Sequence, residues 1–243
     1  MQVDEIAGKE SYLDRAEGTV LDAAHGVVKL DRTVFYARGG GQPGDTGLIR
    51  WDGGEVRVVD TVRQDGSHVH LVEGETLPEA GTQVEGIIDW ERRYTIMRTH
   101  TALHALSGVV WRDFGAKVTG GNMEAGTARM DFELDSISTE FGREVERRLN
   151  QELVKGYPTE VVYMARDAAV RDPDLIRTKA NLIPEWVEEI RVVDIVGLDR
   201  QADGGTHVRS TLEVGEIEVV KTESKGKANK RMKIQLKPLV GGE

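Results

Sequence analysis

Residues 89–115, DWERRYTIMRTHTALHALSGVVWRDFG, separate two parts of the chain that have different sequence patterns. Asp89 is a typical residue for a helix N-cap, and Gly115 is a typical residue for a helix stop. Between them, apolar residues recur at the three- and four-residue spacing of a helical face. The stretch therefore predicts one long helix over residues 90–114, with β structure before it and mixed structure after it.

The part before this helix alternates short apolar runs with glycine-containing turns. A His25-Gly26 turn divides the run GTVLDAAHGVVKL, and Asp52-Gly53-Gly54 is a hairpin signal between two further runs. SHVHLV and TQVEGIID are predicted as additional strands. Many short strands with frequent glycine turns favour a small β-barrel over residues 1–90.

The part after residue 90 mixes helix and strand patterns. A second helix is predicted over residues 139–156, where a Gly-Tyr-Pro sequence ends it. Strands are predicted in TARMDFEL, TEVVYMA, IRVVDIVG, GEIEVVKTES and KRMKIQLKPL. The expected fold class is α+β: a small β-barrel-like domain over residues 1–90, then an α+β domain over residues 91–243 whose long helix packs on an antiparallel sheet.

The composition excludes several classes of protein. The chain has 243 residues, no cysteine and a formal net charge of −10. Without cysteine there is no disulfide, thiol nucleophile or thiolate metal site, which is typical of a reducing cytoplasm. No apolar run reaches the ~18 residues of a membrane span, and the amino terminus lacks a signal-peptide pattern. We therefore expect a cytoplasmic protein with no membrane partner, which binds nucleic acid only if it carries a local basic patch.

A glycine-rich segment, Gly39-Gly40-Gly41-Gln42-Pro43-Gly44, matches the G-x-G-x-x-G pattern of dinucleotide sites, with Asp60 where a ribose-binding acid is expected. Such a loop must open a helix, whose amino terminus binds the pyrophosphate. Here the following residues continue as β structure, and Asp45 stands where a P-loop carries lysine. We therefore expect no nucleotide cofactor, and two interpretations stay open: a glycine turn, or a loop whose Gln42 lines a site.

Two histidines on the long helix, His100 and His104, are four residues apart and project from the same side. They flank the apolar stripe of that helix, a position that suits a metal pocket at the edge of a core; the stripe consists of Ile96, Leu103, Leu106 and Val110. The alternative is a pair of partly buried histidines that bond to the backbone. No glutamate lies between them, so the pattern is not the H-E-x-x-H of a zinc protease.

A second pair of polar residues, Asp203 and His207, is separated by Gly204-Gly205-Thr206, which allows a tight turn to aim both side chains at one point. Together with His100 and His104 they form a nitrogen-and-oxygen set that suits Zn²⁺. If Asp203 is remote or bound through water, three protein ligands leave one position open. The other three histidines are expected to be structural or on the surface: His25, His68 and His70.

Four segments, in this order and spacing, carry a resemblance to a known family: TVFYARGGGQPGDTG, RTHTALH, VTGGN at residues 118–122, and QADGGTHVRST. They resemble the editing domain of alanyl-tRNA synthetase, and most of all its free-standing relatives, the AlaX proteins of medium length. The similarity extends from about residue 10 to 238. It implies that the second domain is an editing domain.

The resemblance also implies one zinc ion per chain, held by a His-x-x-x-His and a Cys-x-x-x-His pair. These pairs correspond to His100 with His104 and to Asp203 with His207, so this sequence carries aspartate where the family usually has cysteine. Asp203 then binds zinc through oxygen, or hydrogen-bonds a metal-bound water, or metal binding is lost. Because the other three ligands are present, we expect zinc.

The reaction implied by the resemblance is hydrolysis of the ester of mischarged tRNA(Ala), carrying serine and in the medium form also glycine, at the tRNA acceptor end. A zinc-activated water attacks the carbonyl, or zinc orients the substrate while another water attacks; the sequence does not choose between them. Asp203 is a candidate general base if it is not a ligand. The family implies that Gln42 with Gly40 and Gly41 closes over the site, and that Thr119 and Asn122 line the amino-acid pocket.

A basic segment near the end of the chain reverses the overall acidic balance. Its cations are Lys221, Lys225, Lys227, Lys230, Arg231, Lys233 and Lys237, opposed by Glu223. We expect Lys225, Lys227, Lys230 and Arg231 to bind phosphates of the acceptor stem. The alternative is a solvated hairpin.

Three functional hypotheses remain at the level of sequence: a zinc-dependent editing hydrolase, a tRNA-binding module without metal or catalysis, and an unrelated metallohydrolase of small esters or peptides. The basic segment argues against the third. Aminoacylation is not expected, since residues 1–90 leave no room for an ATP-binding core. The sequence does not predict whether the protein is a monomer or a dimer.

Overall fold

A computed structural model describes residues 3–172, 175 and 187–239. The chain divides into two compact units, residues 1–95 and 96–243. No helix among the described residues is long and apolar enough to span a membrane.

The first unit contains a closed six-stranded barrel with the strand order β2-β3-β7-β6-β5-β8, which confirms the predicted barrel. A separate pair of short parallel strands joins β1 to β4. The strands are β1 (Asp4–Glu5), β2 (Arg15–Ala24), β3 (Val27–Leu30), β4 (Arg32–Thr33), β5 (Gly47–Trp51), β6 (Gly54–Gln64), β7 (Ser67–Glu73) and β8 (Gln83–Ile88). Inward-facing valine, isoleucine, leucine and phenylalanine side chains fill the barrel.

The glycine-rich segment is a tight turn followed by a strand. The amide of Gln42 donates to the carbonyl of Gly39 at 2.9 Å, and Gly40 and Gly41 have φ values of 59° and 84°. Positive φ at both central positions defines a type I′ turn, which glycine adopts without strain. As predicted, the chain then continues into β5 instead of opening a helix.

Asp45, at the end of this segment, belongs to a fully buried ion pair. Its carboxylate accepts from Nε of Arg93 at 2.9 and 3.0 Å, while the same guanidinium donates to the carbonyls of Ser11 and Val34. A buried charge is tolerated when it is paired and fully hydrogen-bonded. Asp45, which stands where a P-loop carries lysine, therefore links the turn to Arg93 in the first turn of the long helix.

The long helix, α1 (Trp90–Phe114), has the predicted bounds. The side chain of Asp89 accepts from the amide of Arg92 at 3.1 Å, which confirms the N-cap, and Gly115 leaves the helix with a φ of 64°. The division between the two units falls within this helix, after Thr95.

The second unit contains two antiparallel sheets, with the strand orders β14-β15-β10-β9 and β11-β12-β13. Its elements are β9 (Val118–Glu124), β10 (Thr127–Phe132), α2 (Thr139–Leu153), β11 (Thr159–Ala165), α3 (Arg166–Arg171), β12 (Glu189–Ile195), β13 (Asp199–Ala202), a 3-10 turn (Thr211–Val214), β14 (Ile217–Ser224) and β15 (Lys230–Leu236). The predicted strands and both helices are present, whereas β9, β13 and α3 were not predicted.

One face of the four-stranded sheet packs against α2. Asn150 of α2 accepts from the amide of Ile217 and donates to its carbonyl, and Glu146 accepts from the amide of Val219, each at 2.7–2.9 Å. Strand residues on this face, including Met232 and Ile234, are buried. Because side chains alternate along a strand, the residues between them point to the opposite face.

Candidate metal centre

Four polar side chains of the second unit converge on one point: His100, His104, Asp203 and His207. One ligand atom from each lies within 4.8 Å of every other. Oδ1 of Asp203 is 3.5 Å from Nε2 of His100 and 4.0 Å from Nε2 of His104, and Oδ2 is 3.1 Å from Nε2 of His207. All three histidines are buried, which separates this cluster from an ordinary group of surface charges.

Local structure aims these four side chains. His100 and His104 occupy successive turns of α1, and their rings meet edge to face with centroids 5.1 Å apart. Asp203 and His207 lie in the loop after β13, where Oδ2 of Asp203 accepts from the amide of Gly205 at 2.6 Å. This bond closes the tight turn that the glycine spacing predicted.

Two side chains hold the outer edges of the histidine rings. Nδ1 of His104 donates to the carboxylate of Asp199 at 3.1 Å, and Asp199 also accepts from Nε2 of Gln201 at 2.8 Å. Nδ1 of His207 lies 3.1 Å from the hydroxyl of Thr101. Such outer partners set the tautomer and orientation of a metal-binding histidine, here leaving Nε2 of His104 turned toward the cluster.

A glycine in α1 makes the contact with Asp199 possible. A Cβ atom on Gly108 would lie 2.5 Å from the carbonyl oxygen of Leu198 and 3.0 Å from Cβ of Asp199. The backbone before β13 therefore approaches the helix one turn after His104 at a distance that no larger residue allows.

Burial and mutual charge set the protonation of the cluster. Burial lowers the pKa of His207 to about 4 and the pKa of His100 well below its ordinary value. Burial acts to raise the pKa of Asp203, but the three neighbouring histidines hold it well below the ordinary value. The pKa of His104 is raised, because Asp199 and Asp203 outweigh the effect of burial. Two neutral imidazoles and a carboxylate are thus in the forms that bind metal.

The donor set fits a small metal ion. Tetrahedral zinc with bonds of ~2.0–2.1 Å separates its ligands by about 3.3 Å, close to the shorter distances between Asp203 and the histidines. Three imidazole nitrogens and one carboxylate oxygen are ligands that zinc accepts. The four residues predicted as metal ligands are therefore brought together as a set that could hold a metal ion.

The structure also shows residues around the cluster that the sequence did not indicate. Asp199, Gln201 and Thr101 bond to the ligands or to each other, and Nη1 of Arg191 donates to the carbonyl of Asp203 at 2.8 Å. Thr101 and Gln201 lie within the quoted segments RTHTALH and QADGGTHVRST, but nothing in those segments assigned them a role, and Asp199 and Arg191 lie outside them. Their signal is spatial: Arg191, Asp199 and Gln201 are brought together by β12 and β13, and Thr101 reaches His207 from α1.

The predicted substrate-binding residues lie in both units. Gln42 is fully buried, directly after Gly40 and Gly41. Thr119 and Asn122 lie on the unpredicted strand β9, where the hydroxyl of Thr119 donates to Oδ1 of Asn229 at 3.1 Å and Asn122 is exposed. Their roles toward substrate remain predictions.

The four predicted phosphate-binding cations have different surroundings. Lys225 and Lys227 are exposed in the loop between β14 and β15. Lys230 is only 4% exposed and its ammonium donates to the carbonyl of Gly226, so it stabilises the loop from within. The guanidinium of Arg231 binds both oxygens of Asp131 at 2.7 and 2.8 Å.

The remaining histidines are structural or exposed, as predicted. His25 is exposed in its turn, and His68 is buried beside Glu5 at 3.0 Å. His70 is buried in the barrel, with Nε2 2.8 Å from the hydroxyl of Thr33 and Nδ1 2.9 Å from the carbonyl of Val28.

Comparison with known families finds matches in both units. Residues 9–92 match the family described as tRNA synthetases class II (A). Residues 190–233, which include Asp203 and His207, match the second additional domain of threonyl and alanyl tRNA synthetases.

Individual relatives match over most of the chain. The alanyl-tRNA editing protein AlaX-M of Saccharolobus solfataricus is 35% identical over 97% of this chain and 99% of its own length. AlaX-M of Methanosarcina barkeri is 36% identical over 92% of this chain and 94% of its own length. The alanine–tRNA ligase of Pyrobaculum arsenaticum is 38% identical over 90% of this chain, which covers 25% of that enzyme. The chain belongs to the AlaX-M family of alanyl-tRNA editing proteins.

Proposed function

We propose that this protein hydrolyses the ester bond of tRNA(Ala) that carries the wrong amino acid, with Ser-tRNA(Ala) and Gly-tRNA(Ala) as substrates. The observation that carries the proposal is the buried convergence of His100, His104, Asp203 and His207 in a chain related to AlaX-M over 97% of its length. It is a hydrolase of carboxylic esters that acts on tRNA after aminoacylation.

The metal in this proposal is one zinc ion per chain. When bound, zinc supplies Lewis acidity that polarises a carbonyl group or makes a water molecule more acidic. Nε2 of His100, His104 and His207 would hold it together with Oδ1 of Asp203, since these atoms face one another. Asp203 is thus assigned as a direct ligand. The alternatives given above were a hydrogen bond to a metal-bound water and loss of metal binding.

The chain's own residues divide the remaining tasks. Asp199 keeps the proton on Nδ1 of His104, and Arg191 holds the carbonyl of Asp203 in place. Gln42 with Gly40 and Gly41 is assigned to substrate binding and to excluding competing amino acids, with Gln42 also contributing to catalysis. Thr119 and Asn122 are assigned to the amino-acid pocket, where a polar group would favour the hydroxyl of serine.

The division of the chain follows the same proposal. Residues 1–90 form the β-barrel-like domain with the glycine-rich motif, and residues 91–243 form the zinc-binding editing domain with its long metal-binding helix. The tRNA partner is engaged at its acceptor end in the cytoplasm. Lys225 and Lys227 are the exposed members of the predicted phosphate-binding set.

Metal analysis combined with deacylation assays tests the proposal. We expect about one zinc ion per chain, hydrolysis of Ser-tRNA(Ala) and Gly-tRNA(Ala), and loss of hydrolysis after chelation with recovery on zinc addition. A protein that binds tRNA(Ala) without metal and without turnover would instead be a binding module.

An Asp203→Cys variant tests the fourth ligand. If Asp203 binds the metal directly, thiolate at this position holds zinc more tightly than carboxylate does. Unchanged zinc affinity in a competition assay with a fluorescent chelator would remove Asp203 from the ligand set. Asp194→Cys, one strand away and outside the cluster, is the control for nonspecific binding by a new thiol.

A further inference from the structure

The four-stranded sheet carries a line of cations across its face that points away from α2. Lys221 of β14 lies directly opposite Lys233 of β15, and Lys233 lies directly opposite Arg129 of β10. We call these three residues the cation row. Asn122 of β9, opposite Arg129, extends the same line to the edge of the sheet.

The side chains of the row share one face because of strand alternation. Residues on either side of them in sequence, including Met130, Met232 and Ile234, are buried on the face that α2 covers. The side chains of Lys221 and Arg129 are 58% and 36% exposed. Lys233, between them, is partly exposed. A partner can therefore reach the outer members fully and the central one in part.

The cation row itself contains no carboxylate, and its acidic neighbours lie in the lines on either side of it. A neighbouring line contains Glu223, Arg231 and Asp131, in which Asp131 binds Arg231 and Arg129, and Glu223 binds Lys221 and Lys225. On its other side, the row is flanked by a line that contains Glu218 and Glu124. Five cationic side chains therefore share this face with four carboxylates, although the whole chain has a net charge of −10.

Lys233 stands out at the centre of this face. Among the residues that the structure describes, no side chain forms an ion pair with Lys233, and its two cross-strand neighbours are themselves cations. Like charges placed directly opposite each other destabilise a sheet. The arrangement weakens the fold, so an external anion is the partner that would compensate for it.

We infer that the cation row is a docking surface for consecutive backbone phosphates of the tRNA substrate, with Lys233 as its central contact. Neighbouring strands are ~4.8 Å apart, so the row spans about 10 Å. A nucleic acid strand presents a charge about every 3.4 Å along its axis, so more than one phosphate fits along the row. The inference rests on the proposed function, because that function supplies the tRNA.

The cation row differs from the phosphate-binding set expected from the basic segment. Lys230 and Arg231 belong to the same basic segment, but Lys230 is buried and Arg231 is held by two short hydrogen bonds to Asp131. Arg129 makes one longer bond to the same carboxylate, at 3.2 Å. The row instead includes Arg129, which lies about a hundred residues earlier in the chain, so the basic segment alone could not have indicated it. Strand pairing, not sequence proximity, assembles this surface.

Binding of uncharged tRNA(Ala) transcript to the full-length protein, measured between about 50 and 200 mM KCl, tests the row. Each of Lys233→Gln, Lys221→Gln and Arg129→Gln should reduce the slope of log K against log salt by about 1, and the triple variant by about 3. Arg143→Gln, an exposed cation on α2, is the matched control for loss of one charge. Equal slopes for Lys233→Gln and Arg143→Gln would overturn the inference.

A charge reversal separates a docking role from a structural one. Glutamate in Lys233→Glu would lie opposite two cations, so the melting temperature should rise or stay unchanged while tRNA affinity falls more than in Lys233→Gln. A joint loss of stability and affinity would mean that Lys233 supports the fold, and the inference would be wrong.

Deacylation keeps this inference separate from the proposed function. Under single-turnover conditions with saturating enzyme, the row variants should hydrolyse Ser-tRNA(Ala) at the wild-type rate constant. They should differ from the wild type only in needing a higher enzyme concentration to reach half of that rate constant. If the wild type binds and edits tRNA but the row variants match the control, only the docking surface fails. If the wild type neither binds nor edits, the proposed function fails.

Discussion

His70 in the barrel and His104 in the second unit are both buried histidines, yet their surroundings differ in one respect. Both ring nitrogens of His70 have partners that belong to the fold, the hydroxyl of Thr33 and the carbonyl of Val28. His104 has such a partner at Nδ1 alone, in Asp199, while its Nε2 faces Asp203 and two further imidazoles.

The two histidines show what distinguishes a structural residue from a candidate metal ligand. Burial alone does not separate the two, because each costs desolvation that hydrogen bonds must offset. The two differ in the groups around the ring. The partners of His70 satisfy its hydrogen bonds, whereas His104 and its neighbours place several metal-ligating atoms close to the same point.

The largest expected effect is that of His104→Ala on metal binding. Binding free energies of about 10–16 kcal/mol for four-ligand zinc sites give roughly 3–4 kcal/mol for each ligand, or about 100- to 1,000-fold in affinity. Chelator competition measures the zinc affinity, and deacylation of Ser-tRNA(Ala) should fall with it. His70→Gln, the matched substitution in the barrel, should leave zinc affinity unchanged; an equal loss in both variants would erase the distinction between the two histidines.

The next effect concerns His70 and pH. Burial lowers the pKa of His70 to about 4, below the ordinary value of about 6.5 that the unfolded chain restores. Between these two pKa values His70 is protonated in the unfolded chain and neutral in the folded barrel. The part of the unfolding free energy that is present above pH 6.5 is therefore lost as the pH falls toward 4. Between pH 7 and 5 this amounts to about 2 kcal/mol of unfolding free energy.

Urea denaturation at the two pH values checks this prediction, with the zinc site filled in both proteins. The pH-dependent loss should be smaller in His70→Gln than in the wild type by that amount, since glutamine does not titrate. The same loss in both proteins would assign the pH dependence to other groups.

A smaller effect is expected from Asp199→Asn. Loss of an outer partner of a metal-binding histidine costs about 10- to 100-fold in metal affinity, and an amide at this position permits the tautomer with the proton on Nε2. Zinc affinity and the deacylation rate should fall together, with recovery of the rate at high zinc concentration. Asp194→Asn, in the adjacent strand, is the control. A variant that binds zinc as tightly as the wild type would show that Asp199 only packs.

The smallest effect is expected from Gln42→Ala, whose role derives from the glycine-rich motif. We expect kcat/KM for Ser-tRNA(Ala) to fall by about 10-fold, or the preference between serine and glycine to change, while zinc stays bound; the loss of one polar contact in a binding step is about 1.4 kcal/mol. The bound zinc of the variant is measured together with its kcat/KM for Ser-tRNA(Ala). Release of zinc from this variant would contradict the role assigned to Gln42.

Much of the architecture was predictable because local signals and the fold agree. The turn at His25 and Gly26, the cap at Asp89 and the stop at Gly115 each use a residue whose chemistry suits that conformation. The metal cluster was predictable for a similar reason, since helical periodicity and a glycine turn bring two short spacings to one point. These features depend on neighbours in sequence.

What could not be predicted depends on packing between distant segments. Strand β9 contains Gly120 and Gly121, which have no side chain to show alternation, and it exists through pairing with β10. Asp199 has no motif around it, and only the close approach of β13 to α1 makes it a partner of His104. Lys230 looked like its basic neighbours until strand alternation turned it inward.

Gly108 shows how a position without any functional group can set the limits of this centre. The backbone of α1 at Gly108 and the backbone at Leu198, before β13, are so close that no Cβ atom fits between them. A methyl group there would separate His104 from Asp199 while every ligand kept its identity. A related chain with a larger residue at this position would need another side chain to hold the ring of His104.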